Sequence, residues 1–415
     1  MITELTIKNF RSIEDLTINL GAINFFIGPN NSGKSNIMKA LSLCLGETYP
    51  SARSFNEKDF YNYDTTKTIV IKAKFNQPLT CNTAVYGFQL SFNGATNECD
   101  YFTTDDSGNI LTYLGGWREI RVSNVMKSEV ALMYLGLDRQ ASQQLRPNQW
   151  TLYGKLLRHI EGQIDAGKKS AFKTGVETSY ATNIFPDISR METILQSHIK
   201  QQTGLDLSLR LSVLDPMETI KNLRPYMKEP ALTVEFDAED MGAGTQSALA
   251  VAIAQAYNEI VRQPLVLAIE EPELYTHPHG CRHFYKKLKE LSDASAQVIC
   301  TTHERCFVNI ADFESVHLVR KENGKTVVRS GINKVISSPG SLVLAAKFNE
   351  EINEVFFANH VILVEGSIDK IACQIALEKH GIDLDQQCAS IIDCGSNSGV
   401  KPIAEVLNLS TLPQE

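Results

Sequence analysis

Residues Gly28-Pro29-Asn30-Asn31-Ser32-Gly33-Lys34-Ser35 have the spacing of a phosphate-binding loop. Glycines at both ends let the backbone curl so that the amides of the loop, those of Asn30, Asn31 and Ser32 among them, converge on phosphate oxygens. Lys34 then reaches the terminal phosphates and the Ser35 hydroxyl ligates magnesium. A second chemical group is the adjacent carboxylate pair of Glu270-Glu271-Pro272-Glu273. One carboxylate of such a pair can hold the magnesium shell while its neighbour orients or activates the attacking water; Glu270 is assigned to magnesium and Glu271 to water. His303, after Thr301-Thr302, stands where a side chain can sense the terminal phosphate. Gly242-Ala243-Gly244-Thr245-Gln246 could present glycine amides to a phosphate from the start of a helix. Lys34, Glu271 and His303 are thus the candidate catalytic residues for hydrolysis of a nucleoside triphosphate, with Gly242, Gly244 and Gln246 as further nucleotide contacts.

The elements that must position these groups follow from apolar spacing. Ile23, Phe25, Phe26 and Ile27 predict a strand directly before the loop, and Ile37, Leu41 and Leu45 predict a helix directly after it. From Leu232 onward the pattern predicts strand 232–236, helix 246–262, strand 265–269, helix 278–291 and strand 297–301, an alternation that builds a parallel, doubly wound sheet. The carboxylates and His303 then fall at carboxyl ends of strands, where ligands bind in open α/β sheets. Ahead of this, Ile2 to Leu20 reads as two short strands around Asn9-Phe10-Arg11-Ser12. Ile69, Ile71, Ala73, Phe75 and Tyr86, Phe88, Leu90, Phe92 alternate at period two, as a half-buried antiparallel sheet requires. Residues from about 145 to 225 turn helical, with Ile188, Ile194, Leu195 and Ile199 at helical spacing, and read as an insertion between two halves of one nucleotide-binding domain. After a hairpin at Val316 to Val328, strand 361–364, a helix from Lys370 to Lys379 and strand 390–393 begin a second alternation.

Composition narrows the class. A hydrophobic fraction of 43% and a charged fraction of 21% are those of an ordinary globular chain, and 415 residues suggest more than one domain. No apolar run reaches the ~20 residues that cross a bilayer, and Glu4, Lys8, Arg11, Glu14 and Asp15 exclude a secretory signal. Together with nine cysteines that form no paired framework, this predicts a cytoplasmic protein without a membrane partner. The net charge of −8 argues against a generally basic, nucleic-acid-coating surface and leaves room for a local groove. His277, His279, Cys281 and His283 could suggest zinc, but their i, i+2 spacing scatters them around a helix, so a helix start is preferred.

Taken in order, the P-loop, Gly-Ala-Gly-Thr-Gln, Glu-Glu-Pro-Glu and Thr-Thr-His resemble the ABC-type ATPase head, in particular its SMC, RecF and OLD (overcoming lysogenization defect) branch. The opening Ile7-Lys8-Asn9-Phe10-Arg11-Ser12 is similar to that branch's start, which implies that Arg11 lies near the nucleotide phosphates. The resemblance also implies a homodimer or higher homo-oligomer, in which the glycine-rich signature of one copy closes over ATP held by the P-loop of another. Gly242 to Gln246 departs from the Leu-Ser-Gly-Gly-Gln of transporters, which disfavours a transporter subunit. ABC heads carry a glutamine that links magnesium to the insertion; the nearest candidate is Gln140, after Tyr134 to Arg139.

Val361-Ile362-Leu363-Val364 followed by Glu365-Gly366-Ser367-Ile368-Asp369 resembles the beginning of a Toprim domain, as does the turn Gly395-Ser396-Asn397. The resemblance makes Glu365 the metal-ligating or catalytic carboxylate, and Asp369 matches the acidic residue four positions later in OLD nucleases. A carboxylate at a strand end and another in the first helical turn can converge on one divalent ion, Mg2+ or Mn2+. Gabija and retron-associated OLD nucleases share this ATPase-then-Toprim order. A Toprim nuclease also needs a later Asp-x-Asp strand; none follows Asp393, so the expectation is a metal centre left incomplete, in a shortened form or a degenerate remnant.

The expected architecture is therefore α/β: an ABC-type P-loop head with an antiparallel β subdomain and a helical insertion, followed by a partial Toprim domain. Its parts are 1–145 (P-loop and antiparallel sheet), 146–230 (insertion, a candidate dimerisation region), 231–345 (signature, carboxylates and His303) and 355–415 (Toprim). The function implied is the ATP-binding and hydrolysing head of an OLD-family DNA endonuclease in anti-phage defence. ATP and Mg2+ would be its cofactors, with double-stranded DNA and a defence-system protein as partners. The alternative is an ATP-switched scaffold or sensor of the SMC/RecF kind that binds DNA without cutting it.

Overall fold

A computed structural model describes residues 1–113, 116–136, 146–148, 151–203, 206, 220, 222–228, 234–274, 278–307, 314–330, 352–358, 360–401 and 403–404. The chain divides into two units, Met1–Ala141 with Gly242–Glu415, and Ser142–Met241.

The first unit begins with the hairpin β1 (Ile2–Phe10) and β2 (Ile13–Asn19), turned through Arg11 at a φ of 50°. β3 (Ile23–Ile27) leads into the loop, and α1 (Lys34–Leu45) leaves it. β4 (Thr68–Phe75), β5 (Gly87–Asn93) and β6 (Glu98–Thr104) complete an antiparallel sheet in the order β2-β1-β4-β5-β6. In β4 burial alternates strictly, placing Ile69, Ile71, Ala73 and Phe75 inward. This is the consequence of a period-two pattern on a sheet with one wet face. The inward residues of β4 and β5 pack in one core with Ile37, Met38, Leu41 and Leu45 of α1. Tyr101 of β6 is fully buried there, and its hydroxyl donates to the Cys44 carbonyl (2.5 Å), capping an otherwise open carbonyl of the last turn of α1.

After a short helix α2 (Asn124–Ser128), β7 (Ala131–Leu135) opens the second sheet. The second unit intervenes and is described by itself. It holds α3 (Leu152–Gln163), α4 (Ala166–Asn183), α5 (Phe185–Thr203) and a two-stranded ribbon, β8 (Tyr226–Lys228) with β9 (Glu235–Asp237). α3 buries Leu152, Leu156 and Leu157, whereas α4 buries no residue. The predicted strand at 232–236 is realised only in part, as β9. Residues 229–233 lie outside the described set.

The first unit resumes with α6 (Ala243–Val261), β10 (Leu265–Glu270), α7 (Pro278–Asp293), β11 (Gln297–Thr302) and the hairpin β12 (Val316–Glu322) to β13 (Lys325–Ser330). The sheet order is β13-β12-β3-β11-β10-β7, with every pairing parallel except β12 with β13. β10 and β11 are buried at every position, as expected of continuous apolar runs covered on both faces. His317 on β12 is buried, stacks on Phe26 (4.7 Å) and bonds both Ser330 Oγ (2.7 Å) and Asn24 Oδ1 (3.1 Å), joining the hairpin to β3. Burial pushes its imidazole down to about 3, so it stays neutral. The chain continues through a 3-10 turn at Ile352–Phe356 into β14 (His360–Val364), α8 (Ser367–Lys379) and β15 (Ala389–Asp393); β14 and β15 pair in parallel. Among the described residues no helix is long and apolar enough to cross a membrane.

One buried side chain joins the two sheets. Gln297, with no exposed surface, accepts from the Ile2 amide (2.8 Å) and donates to the carbonyls of Ile2 (2.7 Å) and Gly21 (2.8 Å). Gln297→Leu keeps the volume and strands the amide and carbonyl of Ile2, while the Gly21 carbonyl retains Asn24 Nδ2 (2.9 Å). Denaturant unfolding of this variant should show a loss of about 2–4 kcal/mol, since each orphaned buried group costs roughly 1–3 kcal/mol.

Candidate nucleotide site

The loop is held from outside. Gly28 and Gly33 take φ of 148° and 113°, and a Cβ on either would lie 2.1 Å from the hairpin, against the Val319 carbonyl oxygen and Thr326 Oγ1 respectively. Glycine is therefore required both for the backbone conformation and for the close approach of β12 and β13. Thr326 Oγ1 donates to the Ser32 carbonyl (2.9 Å), Ser12 Oγ meets Thr326 Oγ1 (2.7 Å), and Asn36 Nδ2 donates to Ser12 Oγ (2.7 Å). Each hydroxyl has one proton, so the chain runs in a single direction, from Asn36 through Ser12 and Thr326 to Ser32. Asn30, Asn31 and Ser35 remain exposed at the rim of the loop. Lys34, 5% exposed, turns its ammonium onto the carbonyls of Gly28 (2.8 Å) and Pro29 (3.0 Å). Burial pushes this group down to about 8 from its ordinary 10.5, while Glu271, Glu273 and Glu270 pull it back up.

The carboxylates that act on Lys34 stand at and just beyond the end of β10. Glu270 is buried; one oxygen accepts from the Tyr134 hydroxyl, while Oε2 is buried without a hydrogen bond. Ser32 Oγ and Thr301 Oγ1 are likewise buried and unbonded. A buried carboxylate oxygen with nothing to bond is costly, and a divalent cation beside it would supply the missing partner, so the residues fit a metal here. Glu271 follows at a φ of 44°, its amide bonded to the Thr301 carbonyl (2.7 Å), and its Oε1 lies 3.4 Å from His303 Nε2. Glu273 accepts from the His303 amide (2.6 Å), and burial raises its pKa. His303 is lowered by burial and by Lys34, against Glu271, so its ring is neutral at neutral pH.

These contacts bring together Lys34, Glu270, Glu271 and His303; they do not include Gly242, Gly244 or Gln246. Gly242 is exposed at the start of α6, Gly244 half-buried and Gln246 buried. Arg11 pairs with the buried Asp59 (2.8 Å) and reaches Asn36 Oδ1 (3.5 Å), one residue from Ser35. Gln140 and His277 lie outside the described residues. His279 bonds Arg282 (2.8 Å), and among the described residues no group of three His, Cys, Asp or Glu side chains is placed to hold a metal. Glu365 follows β14 directly. Asp369 is in the first turn of α8, and Asp393 is paired opposite Val364, at the same edge as Glu365. Sequence reasoning missed Tyr134 and Thr326. The first is hidden in an apolar strand and the second in a hairpin without a motif, and only tertiary pairing identifies them.

A P-loop strand, a neighbouring strand that ends before a histidine and a third that ends in paired carboxylates, with an antiparallel lobe alongside, define an ABC-type ATPase head; a Toprim-type α/β segment follows it. Comparison with known proteins agrees. The family model for an AAA ATPase domain matches residues 1–108 and 96–308, and that for an overcoming lysogenization defect protein-like TOPRIM domain matches 356–413. The OLD nuclease of Thermus scotoductus (strain ATCC 700910 / SA-01) is 31% identical, over 100% of this chain and 80% of that protein. Endonuclease GajA of Bacillus cereus (strain VD045) is 22% identical, over 91% and 68% respectively. The crystal structure of Stu0660 of Streptococcus thermophilus shares the fold at a TM-score of 0.53 and 12% identity, covering 97% of this chain and 99% of that one. The chain belongs to the OLD nuclease family. It is an ATPase, and its two domains use a nucleotide and divalent metal.

Two measurements follow from this geometry. Thr326→Val removes the hydroxyl that fixes the Ser32 carbonyl and should weaken ATP binding roughly ten-fold, the scale of one lost buried hydrogen bond, as read by equilibrium binding of a fluorescent nucleotide. Lys34 is neutral in the free protein above about pH 8, whereas arriving phosphates favour its charged form. ATP affinity should therefore fall above that pH. Calorimetry in buffers of different ionisation heat should find little proton uptake by Lys34 at about pH 6.5 and uptake approaching one proton at about pH 9.

Proposed function

We propose that this chain binds ATP with Mg2+ between the P-loop and the end of β10 and hydrolyses it to control a DNA-cutting centre. The observation that carries the reading is the convergence of Lys34, Glu270, Glu271 and His303, with a buried oxygen of Glu270 left without a hydrogen bond. In this reading Ser35 and Glu270 hold Mg2+, which when bound neutralises charge on the terminal phosphates. The loop amides and Lys34 orient those phosphates, and Arg11 approaches from the β1–β2 turn. Glu271 orients the attacking water, and its proximity to a neutral His303 lets the ring sense the terminal phosphate by hydrogen bonding. Gly242, Gly244 and Gln246 serve a second copy, whose P-loop they close; exposure of Gly242 is compatible with that task. Met191, Ile194 and Leu195 of α5 are exposed by 51%, 50% and 40%, which supports the insertion as a contact between copies.

The Toprim segment is where the controlled chemistry would occur, with Glu365 and Asp369 as Mg2+ or Mn2+ ligands and double-stranded DNA as substrate, in cytoplasmic anti-phage defence alongside a partner protein. Contacts within the first unit support coupling. Arg305, two residues after His303, pairs with Glu354 (3.2 Å), which also accepts from Ser390 of β15 (3.0 Å). Asn353 donates to the Arg305 carbonyl (3.1 Å). A change at the His303 turn thus has a packed route to the strand beside Glu365. The reading as a scaffold that never cuts is not favoured by membership of a nuclease family.

Lys34→Ala should abolish nucleotide binding. Glu271→Gln should keep binding, lower ATP turnover at least 100-fold and trap the ATP-bound dimer in size-exclusion chromatography. Unchanged turnover in both variants refutes the site. In a form of the protein whose Toprim domain includes the later Asp-x-Asp strand, Glu365→Ala should remove divalent-metal-dependent DNA cleavage while leaving ATP turnover intact, and cleavage at the parent rate would refute the Toprim assignment.

A further inference from the structure

Tyr134 is the one member of the nucleotide cluster supplied by the edge strand β7. It pairs in register with Ala268, two residues before Glu270, and its half-buried ring packs against the core shared by the two sheets. Its hydroxyl donates to Glu270 Oε1. The end of its own strand passes close to the phenol, since a Cβ on Gly136 would lie 3.1 Å from the hydroxyl and 3.3 Å from ring carbons. Any larger residue at 136 would crowd the hydroxyl that Glu270 accepts from. A carboxylate whose first oxygen accepts a fixed donor has its plane set, and the second oxygen is the one presented to whatever sits beside it. In Glu270 that second oxygen, Oε2, is buried with no hydrogen bond.

We propose that Tyr134 is a positioning residue for the divalent cation. By occupying Oε1 it fixes the Glu270 carboxylate so that the metal meets Oε2 alone, and it does so without touching nucleotide or water. Partners of this kind orient ligating carboxylates, and their loss typically weakens metal binding about 10- to 100-fold. The inference rests on the reading that Glu270 holds the metal, and the experiment separates the two.

Mn2+ binding to the full chain carrying Glu365→Ala, which removes the Toprim carboxylate, is followed by electron paramagnetic resonance with a non-hydrolysable ATP analogue, and nucleotide binding is measured separately in EDTA. Tyr134→Phe should weaken Mn2+ binding about 10- to 100-fold while nucleotide binding in EDTA stays at the parent value. Glu270→Gln should lose Mn2+ binding more severely. If Glu270→Gln weakens Mn2+ binding and Tyr134→Phe leaves it unchanged, the role of Tyr134 is refuted and the metal carboxylate stands. If Glu270→Gln leaves it unchanged, the metal assignment itself fails and the inference falls with it. If Tyr134→Phe weakens nucleotide binding in EDTA as much as Mn2+ binding, the ring is only supporting the fold locally, which also overturns the proposal.

Discussion

The hydrogen bond from Thr326 to the Ser32 carbonyl is the constraint on which the nucleotide site depends. It spans 294 residues of sequence, and it is the last step of the relay that begins at Asn36. A phosphate-binding loop is usually described as a local motif, but here its shape is imposed by contact. The two glycines are needed because a hairpin presses on them, and the hairpin can press because His317 anchors it to β3. Lys34 inherits its position from that arrangement, as its ammonium rests on carbonyls of the same loop.

Around this frame the site concentrates charge in a place poor in water. Lys34 has lost hydration and three carboxylates offset part of the cost; His303 is kept neutral by the same burial. No member of the cluster is comfortable alone. The net result is a cluster whose two halves are complementary to strong negative charge and to a cation respectively.

Much of this was legible from sequence because the information is local. Strand β10, strand β11 and the alternation in β4 follow from side-chain period, and the residues at strand ends follow from where strands stop. α8 begins at Ser367, three residues before its predicted start, within the limits of an end set by capping rather than by apolar spacing. What could not be read were the groups that reach across. Tyr134 looks like one more apolar residue of Ala131–Leu135, Thr326 like a hairpin residue and Gln297 like a polar strand start. Their roles come from register between strands distant in sequence, and no spacing rule encodes that.

Arg320 of β12 donates to the carbonyls of Phe356 (3.0 Å) and Ala358 (2.8 Å), on the approach to β14. An arginine that recognises main chain is indifferent to which side chains that chain bears. At this point the seam between the ATPase head and the Toprim-type segment is held by main chain and tolerates a change of side chain at Phe356 or Ala358, whereas the neighbouring Arg305–Glu354 pair depends on both of its side chains.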